Sequence, residues 1–134
     1  MNASEIVRLV DFVKMGGLVP VIVQDAKNCA ILMLAYMNAE ALEETLRTRQ
    51  LCYYSRSRKK LWRKGEESGH TQELVELRLD CDGDALLALV RQKGAACHEG
   101  YRTCFFRTFT EDGIRVIGER LFDPNKIYKK QPKQ

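Results

Sequence analysis

Three groups of residues in this chain have types and spacings that suit chemistry. The first is Asp80-Cys81-Asp82-Gly83-Asp84. Three carboxylates so close together repel one another unless a cation or a basic side chain neutralises them. Oxygen donors of this kind suit Mg2+, which accepts a few carboxylates and keeps part of its water. A solvated acidic turn has the same pattern. The second group is ACHEGYRTC, residues 96–104, in which six residues separate Cys97 from Cys104. That gap does not fit a zinc ribbon. With Cys81 the two make three thiols, and a zinc held by three protein ligands keeps a position for water, which can ionise near neutral pH. His98 then either completes the metal site or moves protons beside it. Ordinary buried thiols are the plainer reading. The third group is YYSRSRKKLWRK, residues 53–64, with six basic residues and no acid, running on to Gly65 and His70. Its cations suit phosphate groups on a small substrate. Its aromatic residues, Tyr53, Tyr54 and Trp62, also fit single-stranded RNA, and a solvated hairpin needs neither partner.

These groups must be carried by elements that the pattern of apolar residues predicts. Ile6, Val10 and Val13 share a helical face, so a helix is expected over residues 4–14, ended by Gly16-Gly17. Residues 19–24 and 29–36 are β-rich and flank the polar turn 25–28, which predicts a hairpin. Asn38 is placed to cap a helix over 39–48. Short strands are expected over 51–54 and 60–63, around the basic turn, and over 85–91, 103–109 and 114–117. Residues 73–82 alternate strictly. Period 2 puts Val75, Leu77, Leu79 and Cys81 on an apolar face, and Leu74, Glu76, Arg78, Asp80 and Asp82 on a polar one. Cys81 is thus expected to be buried and the aspartates to project together. Cys29 and Cys52 read as small buried hydrophobes. The class is α+β, with a mainly antiparallel sheet and few helices.

The chain has 134 residues, 45% hydrophobic and 30% charged, which suits one globular domain. The longest apolar run, Cys29 to Met37, has nine residues, far short of the ~20 that a membrane helix needs. The first residues lack a secretory signal pattern. Residues 126–134 hold four lysines and no acid, and are expected to fray from a domain spanning 1–125. Without them the +4 net charge disappears, leaving 18 basic and 18 acidic residues. That is a weak footprint for a nucleic-acid binder. Five cysteines, an odd number, suit a reducing cytosol better than a disulfide framework.

Taken in order, four segments resemble the phosphoribosyl-AMP cyclohydrolase family: MLAYMNAEAL (33–42), SRSRKKLWRKGEESGHTQ (55–72), DCDGDALL (80–87) and ACHEGYRTCFFR (96–107). Glu67, where a small residue is expected, and Glu99, where threonine is common, depart from the pattern. The resemblance implies zinc on Cys81, Cys97 and Cys104, magnesium on Asp80, Asp82 and Asp84, and an intertwined homodimer that shares the zinc across its interface. It also implies hydrolytic opening of the N1–C6 bond of the adenine ring, in histidine biosynthesis. The exocyclic nitrogen then stays as a carboxamide, unlike in zinc deaminases, which expel it. His70 and His98 are the expected proton-transfer groups, and Arg56, Arg58, Lys60 and Lys64 the expected phosphate contacts. A small zinc-stabilised RNA-binding module is the alternative from another functional class.

Overall fold

The computed structural model describes residues 1–127. Of the expected basic tail, 128–134 lie outside the described residues, while Lys126 and Ile127 end a short helix, α3 (Pro124–Ile127). The element order is α1 (Ala3–Leu9), β1 (Val19–Asp25), β2 (Ile31–Met37), α2 (Ala39–Thr48), β3 (Cys52–Ser55), β4 (Lys60–Arg63), β5 (Gln72–Leu79), β6 (Leu86–Gln92), β7 (Arg107–Thr110), β8 (Gly113–Val116) and α3. One four-stranded sheet has the order β2-β1-β6-β5; β3-β4 and β7-β8 are separate two-stranded ribbons. All pairings are antiparallel except β1 with β6. A parallel pair needs a long crossover, and here the connection runs through β2, α2, the basic ribbon and β5. The α+β class with few helices is as expected.

The core forms where the two central strands turn their alternating apolar residues inward. Val19, Val21 and Val23 of β1 meet Leu86, Ala88 and Val90 of β6, covered by Leu32, Met37, Leu42, Leu51 and Tyr53. Helix α2 starts where Asn38 Oδ1 accepts the Ala41 N–H at 2.8 Å. It is tied to β3 through Thr45, whose hydroxyl accepts the Cys52 N–H at 2.9 Å.

Several expectations change, and the strand expected over 103–109 starts only at Arg107. Helix α1 ends at Leu9, not residue 14, because Val10 turns extended and the Asp11 N–H bonds the Gly83 carbonyl at 2.7 Å. The Asp11 carboxylate then accepts the Val13 and Lys14 N–H groups and starts a separate turn. Val13 is left 87% exposed. Strand β2 starts at Ile31, so Cys29 falls in the preceding turn with φ +65° and is exposed; Cys52 is buried as expected. In β5 the alternation is broken by a bulge between Leu74 and Glu76. An extra residue shifts the phase of every side chain beyond it. Leu74 and Leu77 therefore pair with the buried Val90 and Ala88, and Val75 turns outward. The strand ends at Leu79, which puts Cys81 in the following turn, exposed and not on a buried face.

Candidate active site

The acidic turn is built by one of its own carboxylates. Asp80 Oδ1 accepts the N–H groups of Asp84 at 3.0 Å and Ala85 at 3.2 Å, closing the link from β5 to β6. Asp80, Asp82 and Asp84 each offer an oxygen within 4.8 Å of the others, a donor set that fits a hard divalent cation. Lys14 reaches across from the turn after α1, with Nζ 3.1 Å from Asp84 and 3.5 Å from Asp82. Hydrogen bonding to Asp84 and Asp80, helped by the Lys14 charge, holds the Asp82 carboxyl below its ordinary range. The Asp84 carboxylate, in turn, raises the Lys14 ammonium above its own. Nothing in the local sequence marks Lys14, which is 68 residues from Asp82.

The cysteine loop runs from β6 to β7. Its base closes through the Ala96 N–H to the Arg102 carbonyl at 3.0 Å and the Cys97 N–H to the Tyr101 carbonyl at 3.1 Å. It is pinned to β2 where the Cys104 N–H reaches the Leu32 carbonyl at 2.7 Å. The Arg102 guanidinium pairs with Asp25, almost wholly buried at the end of β1, a contact no sequence pattern announces. Cys97 and Cys104 are neighbours, with the Cys97 thiol acting on that of Cys104. Burial, with the Cys97 thiol next in importance, pushes the Cys104 thiol up to about 11. Lys64 lies beside both, donates to the Ala96 carbonyl, and is pulled below its ordinary range by burial. Two adjacent thiols flanked by an ammonium fit a soft metal ion, which binds thiolates and releases their protons. Cys81 does not join them within one chain. Among the described residues the aspartate trio is the only group of three or more candidate ligands within reach of one another.

The basic ribbon β3-β4 forms one side of a cleft of about 270 Å³ that brings together Ser55, Arg58, Lys64, Ser68 and His98. Two stretches distant in sequence, residues 55–68 and the cysteine loop with His98, thus converge on one cavity. The other expected phosphate contacts stand apart from it. Arg56 stacks on the Tyr36 ring, 4.0 Å from its centroid, and Lys60 is exposed opposite Ser55. Arg63 lines the cleft but is paired with Glu44 of α2. Tyr53 is fully buried against Trp62, with ring centroids 5.0 Å apart, so its face is not available to a nucleic-acid base. His70 does not line this cleft; its ring meets Phe122.

All five thiols are free, and no helix among the described residues is long and apolar enough to cross a membrane. Residues 33–106 match the family model of phosphoribosyl-AMP cyclohydrolase. A phosphoribosyl-AMP cyclohydrolase of Nitratidesulfovibrio vulgaris (strain DP4) is 54% identical over 120 residues, covering 89% of this chain and 95% of the relative. One from Methanoregula boonei is 58% identical over 115 residues, covering 86% and 91%. One from Acidiphilium cryptum is 60% identical over 102 residues, covering 76% and 88%. With that extent of match along a fold that assembles the same segments, the chain belongs to the phosphoribosyl-AMP cyclohydrolase family and is a hydrolase.

Proposed function

We propose that the protein opens the N1–C6 bond of the adenine ring in phosphoribosyl-AMP, a step of histidine biosynthesis, in a reducing cytosol. The working unit is a homodimer in which Cys97 and Cys104 of one chain and Cys81 of the partner subunit hold zinc. The observation that carries this reading is the separation of the thiols: two sit side by side, and the third stands exposed on another turn. The apolar residues of the β7-β8 ribbon support a second copy. Phe109 is 87% exposed, and Ile114 and Val116 are exposed beside it, surface that a lone soluble chain seldom presents together.

Zinc in such a site supplies a water that ionises near neutral pH. The chain's own residues supply the rest. Arg58, Ser55 and Ser68 offer donors to a phosphate in the cleft, and Lys64 offsets thiolate charge next to it. Asp80, Asp82 and Asp84 hold magnesium and, with it, the second phosphate. His98 at the cleft and His70 nearby in sequence move the two protons the reaction needs, one from the attacking water and one to the departing N1. The RNA-binding reading loses support from the burial of Tyr53 and from the pairing of Arg63 with Glu44.

Zinc content measured together with turnover of phosphoribosyl-AMP, followed by ultraviolet absorbance, tests the proposal. One zinc per chain and turnover that disappears on chelation are expected. Full turnover in zinc-free protein would remove the metal from the mechanism.

A further inference from the structure

The chain has two histidines, held in different ways. His98 is exposed on the cysteine loop, whereas the His70 imidazole lies in a slot. One wall is Gly94, where a Cβ would stand 2.8 Å from His70 Cδ2, 2.9 Å from Cγ and 3.0 Å from Nε2. Only a residue without a side chain lets the ring lie there, and the φ of +72° at Gly94 suits glycine as well. A second wall is Phe122, in edge contact with the imidazole at 4.9 Å between centroids and 71° between planes.

Phe122 is brought there by the cysteine loop. The Leu121 N–H bonds the Gly100 carbonyl at 2.6 Å, and Arg120 bridges to Tyr101. A Cβ on Gly100 would fall 2.3 Å from the Phe122 carbonyl oxygen, so this approach also needs glycine. A chain of side-chain hydrogen bonds also reaches the His70 backbone. The Tyr53 hydroxyl donates to Gln72 Oε1 at 2.5 Å, Gln72 Nε2 donates to Gln92 Oε1 at 2.7 Å, and Gln92 Nε2 reaches the His70 carbonyl at 3.4 Å.

From these contacts we infer that Phe122 and Gly94 are positioning residues that hold the His70 imidazole in one orientation for proton transfer. The inference rests on the role given to His70 above. Phe122 lies beyond the segment 33–106 covered by the family match, so its part is legible only in the fold. A proton-transfer group works within hydrogen-bond reach of its partner, and a misplacement of about 1 Å costs roughly a hundredfold in rate. A ring confined on two sides keeps its alignment while substrate comes and goes.

Phe122→Leu keeps the apolar bulk and removes the ring. Its kcat should fall roughly tenfold to a hundredfold, with KM changed by less than about twofold. In proton NMR of the holoenzyme, the carbon-bound protons of His70, identified by their loss in His70→Ala, should shift. Their nuclear Overhauser contact with the Gly94 α-protons should weaken. Phe122→Tyr should restore both kcat and spectrum. Gly94→Ala, which displaces the ring from the other wall, should reproduce the kcat loss and the spectral change. Unchanged kcat in Phe122→Leu overturns the inference, as does a fall in kcat with the His70 signals unmoved. Near-normal turnover of His70→Ala overturns the proton-transfer role and the inference with it. That outcome differs from failure of the slot alone, in which His70→Ala is inactive and the Phe122→Leu spectrum stays as in the parent.

Discussion

Among single residues, the carboxylates and thiols differ in what neutralises them. Lys14 occupies the mouth of the aspartate trio, with its ammonium close to both Asp82 and Asp84. A fixed cation and a bound divalent ion compete for the same oxygens, because one positive charge reduces the field available to the other. Lys14→Met should therefore tighten Mg2+ binding, by roughly two- to fivefold for one surface charge. Isothermal titration of the zinc-loaded protein with Mg2+ measures this; weaker binding in the variant would contradict it. The two proposed metal sites should also separate by mutation. Cys97→Ser should lose zinc and activity together, since a three-thiolate site has no spare ligand. Asp82→Asn should impair turnover while retaining zinc. Zinc analysis beside an activity assay decides both, and parallel loss of zinc in Asp82→Asn would argue against two separate sites.

The elements contribute stability through a few buried polar contacts between neighbours. Gln72, the first residue of β5, is fully buried and bonded to Tyr53 of β3 and Gln92 of β6. It thereby joins the basic ribbon to the main sheet. Burial holds the Tyr53 phenol well above its ordinary range, which favours the protonated form that donates to Gln72. Tyr53→Phe leaves the Gln72 carbonyl oxygen without that donor in a dry site. The expected cost is about 1–3 kcal/mol, the usual penalty for an unsatisfied buried group. Urea denaturation at fixed protein concentration reads it. An unchanged midpoint would mean that the amide re-pairs elsewhere.

For the whole molecule, the decisive feature is that one chain does not gather the three cysteines proposed to hold zinc. If the partner subunit's Cys81 completes the site, a two-fold dimer has two equivalent zinc sites, each drawn from both chains. Cys81→Ala and Cys97→Ala should then each be inactive alone. Unfolded and refolded together, they form mixed dimers in which one site collects both lesions and the other is intact. Random pairing makes about half the dimers mixed, so roughly a quarter of all sites should regain zinc and activity. Zero recovery from a sample shown to contain mixed dimers would refute the shared site.

Much of this was determined by sequence alone, wherever neighbouring residues decide. Asn38 caps α2 as its type and place require, the valines of β1 alternate into the core, and the acidic turn follows β5. The four motifs name the family because residue types at fixed spacing survive whatever the fold does with them. Tertiary structure alone decided the rest. The bulge in β5 moved Val75 outward and Leu74 inward, because pairing with β6, not the local alternation, selects the buried face. Asp11 left α1 for the Gly83 carbonyl, which lies 72 residues away along the chain. Lys14 on the aspartates, Arg102 on Asp25 and Phe122 on His70 are contacts between distant segments. No periodicity encodes them, because their energy depends on a shape that exists only once the chain has closed.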